Sequence, residues 1–168
     1  MKTKSFHLFL ILLLFSVLNT NTLSQSIQSK VKNLSEKSDI ILEGKVIQKK
    51  SDWNQDKTRI FTKVTIQVDE YLKGNNSGKT IVINTPGGEV DGIGELYTHM
   101  PSFKDDEDVL VFAKEDKQDK SYKVLDGEEG KLTLYNDAKI GEKVTSFNKK
   151  VSALKTEIKG YVGKKSQQ

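Results

Sequence analysis

Alternation with a period of two predicts a mainly β protein, a small antiparallel barrel or sandwich with a helix at each end. Three observations carry this. The stretch RIFTKVTIQVDEYLKG sets Ile60, Thr62, Val64, Ile66 and Val68 on one side and Phe61, Lys63, Thr65, Gln67 and Asp69 on the other, a strand with one wet face. Short apolar runs recur between clusters of Gly, Asn, Asp and Ser, with no helical pattern between most of them. Near the two ends of the chain the spacing of apolar residues lengthens to three and four.

Taken in order, Lys2 and Lys4 precede an almost unbroken apolar run over 8–18, and the polar NTNTLSQS follows. Charged, then apolar, then small and polar is the layout of a secretory signal. The run is about half the length a spanning helix needs, so residues 1–24 are expected to be a signal peptide, cleaved after Ser24, and the mature chain to be secreted or periplasmic. An uncleaved N-terminal anchor is the competing reading. The remaining length suits one domain and is enough to bury a core without disulfides. The chain has no cysteine, which removes disulfide frameworks and thiolate metal sites and suits a bacterial exported product.

Ile27, Val31 and Leu34 place a short amphipathic helix over 25–37. In SDIILEGKVIQKK, Ile40, Leu42, Gly44 and Val46 share one face; Ile41, Glu43, Lys45 and Ile47 share the other. KGNNSGK is a turn, and TIVINT a third strand. DVLVFAK is apolar on both faces and reads as a central strand. SYKVL and KLTLY are shorter strands divided by DGEEG. The barrel should occupy 38–135. Val144, Phe147, Val151, Leu154, Ile158 and Tyr161 then follow the 3-4 spacing of a helix, expected over 136–163, with Gly160 and Gly163 at its end and a tail at 164–168. That stripe reads as a helix docked on the barrel, with an oligomer seam as the alternative. A monomer is expected.

Three stretches of this sequence resemble the netrin-like module, the family that includes the tissue inhibitors of metalloproteinases. They are SDIILEGKVIQKK, IFTKVTIQVDEYLKG with its closing Lys73-Gly74 pair, and FKDDEDVLVFAKED. The chain also resembles secreted bacterial domains that carry a PGG segment before the last of these strands. The likeness covers about residues 38–134. It implies an OB-like, partly open five-stranded barrel with a flanking helix, and a protein-binding role that extends to protease inhibition. The animal inhibitors are tied by disulfides and act through an N-terminal cysteine on the catalytic zinc. This chain has neither, so the resemblance implies the fold more strongly than the mechanism.

Catalytic chemistry finds little material. His99 is the single histidine after the expected signal, which excludes two-histidine metal sites, and no G-x-S-x-G elbow is present. Asp52, Asn54 and Asp56 begin like a calcium loop, but Lys57 stands where the loop needs Gly and Lys63 where it needs Glu. Asp105, Asp106, Glu107 and Asp108 read as a solvated turn, with calcium binding as the rival. The PGG segment is not followed by the helix that a phosphate cradle requires. A formal net charge of +4, part of it in the expected signal, argues against a nucleic-acid binder. No cofactor and no metal are expected.

The stretch NTPGGEVDGIGELYTHMPSF, 84–103, is the candidate site. It holds both prolines of the chain, and loops of this length in compact domains are usually functional or disordered. Its apolar residues argue for an ordered loop folded over one end of the barrel. Pro86, Gly87, Gly88, Glu89, Asp91, Tyr97, His99, Met100 and Phe103 are the expected contacts with a protein partner, a secreted or surface protease being the named class. The bland alternative is a plug that caps the barrel. A second functional reading is a carbohydrate- or envelope-binding face built on Trp53, Phe61 and Tyr71. A third is a hydrolase around His99.

Overall fold

Two 14-residue strands set the architecture, β1 (Ile40–Trp53) and β2 (Ile60–Lys73). The structure, a computed structural model, describes residues 20–74, 78–117 and 121–165. The expected signal segment lies outside them, except for its last five positions. The chain falls into two compact units, 1–33 and 34–168. Described residues of the first unit are helical from Thr20, five positions before the predicted start, and this helix α1 (Thr20–Lys37) runs on into the second unit. There Lys73 Nζ donates to the carbonyls of Ser35 (2.7 Å) and Glu36 (3.2 Å), a cation on the helix C-terminus where the macrodipole favours it.

Strands this long must bend to close a barrel. β1 does so through register shifts at Ile41/Leu42, Glu43/Gly44 and Val46/Gln48. Gly44 sits at one of them, where a Cβ would collide with the carbonyl of Gln67, so the bend needs glycine. β2 pairs with β1 and with β3 (Thr80–Pro86), both antiparallel. Pro86 is the last residue of that ladder, as its missing N–H leads one to expect. β6 (Asp108–Asp116) pairs antiparallel with β1 and with β7 (Ser121–Val124). The ring closes where β7 meets β3 in parallel, at Ile83 and Tyr122. The order β1-β2-β3-β7-β6 and back to β1 is a five-stranded ring, an OB-like barrel. Its interior is filled by Ile40, Leu42, Val46, Val64, Ile66, Ile83, Val109 and Val111, with Phe103 at one end.

Beyond the ring, β8 (Lys131–Asp137) adds to β6 and β9 (Glu142–Thr145) adds to β8. The expectation of one helix over 136–163 is therefore corrected. Residues 136–150 finish β8, turn and form β9, and helix α2 covers Val151–Lys165. Val144 belongs to a buried strand position, not to the helical stripe. Gly141 (φ 67°) and Asn148 (φ 60°) hold left-handed conformations that interrupt any helix there. The true stripe is Val151, Leu154 and Ile158, all buried. Gly160 and Gly163 lie inside α2 and do not cap it.

α2 packs against β2 and β9 and gives the barrel one covered wall. On β6, Val109, Val111 and Ala113 face the interior, while Leu110 and Phe112 point outward and are still fully buried. On β1 the same holds for Ile41, and Glu43 is only 6 % exposed. The outward face of β1, which carries Ile41 and Glu43, is thus covered over its first half. Glu43 is held by Lys143 (3.2 Å) and Lys155 (2.6 Å). Lys155 also pairs with Glu70, which Lys159 reaches at 2.7 Å, and Lys143 approaches Asp108 at 3.5 Å. Among the described residues no helix is long and apolar enough to cross a membrane.

Candidate functional site

The opposite end of the barrel is built differently, and the pairing register shows why. Ser51 lies across from Thr62, and Thr62 across from Thr85. Cross-strand partners share a face, so three hydroxyls form one rung at the mouth. The next rung inward is Lys49, Val64 and Ile83. Polar side chains thus replace aliphatic ones where the barrel opens.

The segment after β3 folds over this mouth. It contains a small hairpin, β4 (Gly88–Val90) with β5 (Ile93–Glu95), turned by Asp91 (φ 52°) and Gly92 (φ 78°). Asp-Gly between apolar residues is a strong short-range hairpin signal, and it stood in the sequence at VDGI. Gly87 and Gly88 bring the backbone close. A Cβ on Gly87 would come within 2.8 Å of the Glu95 carbonyl, and one on Gly88 (φ 137°) would strike the Ser51 and Thr62 hydroxyls. The PGG segment therefore lets the chain cross the rung of hydroxyls.

Hydrogen bonds fix the roof. Gly87 N–H donates to Ile60 O (2.8 Å). Ile60 N–H (3.1 Å) and Tyr97 Oη (2.9 Å) both donate to Glu95 Oε2. Arg59 Nη1 donates to Tyr97 Oη at 2.9 Å, with its guanidinium 5.9 Å from the ring centroid. Further on, His99 O accepts from Glu128 N–H (2.9 Å), beside Gly127, where any side chain would meet the same carbonyl. Phe103 closes the span by entering the barrel core.

At its foot, Lys131 bonds to Glu107 Oε1 (2.6 Å), Ser102 O (2.8 Å) and Thr133 Oγ1 (3.0 Å), and sits 5.2 Å from the centroid of the Phe103 ring. Burial opposes the charge on Glu107, but hydrogen bonds from Lys131, Thr133 and the Lys104 N–H outweigh it and hold its carboxyl below the usual range. Glu107 is therefore a half-buried anchor and not part of a solvated acidic turn. Asp105 and Asp106 beside it are exposed. Among the described residues no group of three or more acidic, His or Cys side chains is arranged to hold a metal.

Between roof and rung lies a cavity of about 600 Å³. Pro86, Gly87, Gly88, Glu89, Tyr97, Met100 and Phe103 line it. Asp91 and His99, expected with them, do not: Asp91 is at the hairpin tip, and His99 points to solvent with Nδ1 3.5 Å from Glu128. No hydroxyl is hydrogen-bonded to His99 among the described residues. Phe103 is a floor residue, buried in the core and not displayed. The loop is accordingly both plug and cavity wall.

Ser51, Thr85, Lys49, Glu95 and Leu96, absent from the expected set, also line the cavity. Thr62 was legible as a hydroxyl in an otherwise aliphatic row. Ser51 was hidden by the bulge between Val46 and Gln48, which shifts the register. Leu96 (97 % exposed) and Met100 (41 %) form an apolar rim, and Ile93 (54 %) is exposed on the adjoining hairpin.

The three aromatics of the second reading do not meet. Trp53 and Phe61 border one groove of about 400 Å³ with Asn54, Lys63 and Lys123. Tyr71 lies at the far end of β2, where its hydroxyl donates to Gly78 O (2.9 Å) and its ring packs on the core.

A scan against protein-family models finds no family that matches this chain, and a search of curated proteins finds no match.

Proposed function

We propose that this chain is an exported, non-catalytic binding domain that docks a protein partner at the roofed mouth of its barrel. A secreted or surface protease is the partner class the netrin-like resemblance suggests. The observation that carries the reading is the pairing of an ordered cavity with two exposed apolar side chains in its lining, Leu96 and Met100, on one loop that also exposes Ile93. Exposed large apolar groups scattered singly need no explanation, but a cluster beside a cavity is what an interface core requires. The layout of residues 1–24 supports export. Non-catalytic action is supported by the position of His99, exposed and, among the described residues, paired with Glu128 alone.

The test is titration of the purified protein into a panel of secreted metallo- and serine proteases. The expected result is inhibition of at least one of them, weakened tenfold or more by Leu96→Asp or Met100→Asp in a variant that unfolds at the same urea concentration. Failure to inhibit any protease, together with no cross-link from positions 93, 96 or 100 to a partner, overturns the reading.

A further inference from the structure

We infer that the cavity at the barrel mouth is a subsite for a primary ammonium group, the end of a lysine side chain of a protein partner. The inference deepens the binding reading above and rests on it.

The argument follows the protons. Thr62 has one hydroxyl proton, and it goes to Gly87 O at 2.7 Å. The 2.9 Å bond between Ser51 and Thr62 must therefore be donated by Ser51. Ser51 Oγ is left with lone pairs and no proton to offer. Thr85, 8 % exposed and lining the same cavity, has a buried hydroxyl with no hydrogen-bond partner. Buried hydroxyls are rarely left so; among the described residues Ser121, outside the cavity lining, is the other.

Two carboxylates complete the lining, Glu95 and the exposed Glu89. Glu95 Oε2 already receives two bonds, from Ile60 and Tyr97, and Oε1 makes none among the described residues. Lys49, the cation in the lining, is committed to Phe103 O (3.1 Å) and to Asp105 (3.8 Å). What the cavity offers a guest is thus mostly acceptors with negative charge. An ammonium carries three donors and no acceptor, and matches that set. The apolar rim of Leu96 and Met100 suits the methylene stem behind it. A carboxylate or phosphate guest would meet the like charge of Glu95 and Glu89, with the Thr85 hydroxyl left as a donor.

The experiment is an NMR titration of the isotope-labelled full chain with Nα-acetyl-lysine methylamide, and in parallel with the norleucine analogue, which keeps the stem and lacks the ammonium. The expected result is saturable shifts at the amides of Gly87, Gly88 and Glu95, at least tenfold weaker for norleucine. Glu95→Gln and Ser51→Ala should each reduce the lysine response severalfold, and Thr85→Val should leave folding intact while reducing it too. Equal response to both probes overturns the ammonium assignment, as does a stronger response to acetate. No shift at the mouth with lysine also overturns it. The protein-binding reading is judged separately, by protease inhibition and its loss on substitution of Leu96.

Discussion

The covered wall and the open mouth handle buried polarity in opposite ways. At Glu43 a carboxylate under α2 is gripped by Lys143 and Lys155 at 3.2 and 2.6 Å, inside a network that extends to Glu70, Asp108 and Lys159. At Thr85, under the roof of the mouth, a hydroxyl just as buried has no partner. A satisfied charge network positions one element on another. A half-satisfied rung leaves hydrogen-bonding capacity unused. The difference teaches where the buried polar groups of this barrel are paired and where one is not.

The most severe way to break the contrast is Glu43→Ala. It takes the carboxylate from between Lys143 and Lys155, which keep Asp108 and Glu70 as partners, so the cost should be about 3 kcal/mol, the low end for breaking a buried pair. Urea unfolding should register it, with early loss of protection in α2 by hydrogen exchange. The same substitution should leave the mouth unchanged.

Acid and alkali should act on the same wall, less severely because the side chains stay in place. Hydrogen bonds from Lys155 and Lys159 hold the Glu70 carboxyl below its ordinary range, against a smaller opposing effect of burial. Its contribution is present above the unfolded value of about 4.3 and is lost as pH falls through the depressed folded value. Burial pulls the Lys155 and Lys143 ammonium groups down, yet their bonds to Glu43, with Glu70 for Lys155 and the nearby Asp108 and Asp69 for Lys143, win and raise both. That contribution is complete below the unfolded value of about 10.4 and is lost as pH rises through the raised folded values. The urea midpoint should be flat between roughly pH 5 and 10 and fall on both sides. Glu43→Ala should flatten the alkaline limb.

At the mouth, Gly88→Ala should cost about 1–3 kcal/mol, from a side chain at a positive φ and its collision with Ser51 and Thr62. It should also abolish any ligand response there, since the new methyl occupies the space over the hydroxyls. Smallest of all in stability is Leu96→Ser. A residue 97 % exposed should shift unfolding by no more than about 0.5 kcal/mol, while partner binding falls. A large loss of stability would mean that Leu96 packs, and would remove it from the proposed rim.

Much of the covered wall could be read directly from sequence. The doubly apolar DVLVFAK is the buried central strand β6, and Val151, Leu154 and Ile158 are the docked stripe of α2. The error at 136–150 has a clear cause: Val144 fits both a helical stripe and a two-residue alternation, and only its pairing with Tyr135 decides. The mouth was legible as a place and not as a chemistry. Both prolines and the PGG segment marked the loop, and most of its expected contacts do line the cavity. The rung beneath them was not visible, because Ser51 and Thr85 became neighbours of Thr62 only through pairing.

By itself the sequence determined what depends on near neighbours: the two-residue alternation of the strands, the burial of both faces of β6, the apolar stripe of α2 and the glycine-rich crossing after β3. Only the tertiary structure decided what depends on residues far apart. The ring closes through a parallel contact between Ile83 and Tyr122, and Glu43 meets its lysines 100 and 112 positions away. Periodicity along a chain reports which face a side chain occupies. It carries no record of which strand lies alongside, and that choice fixes both the charge network and the unpartnered hydroxyl.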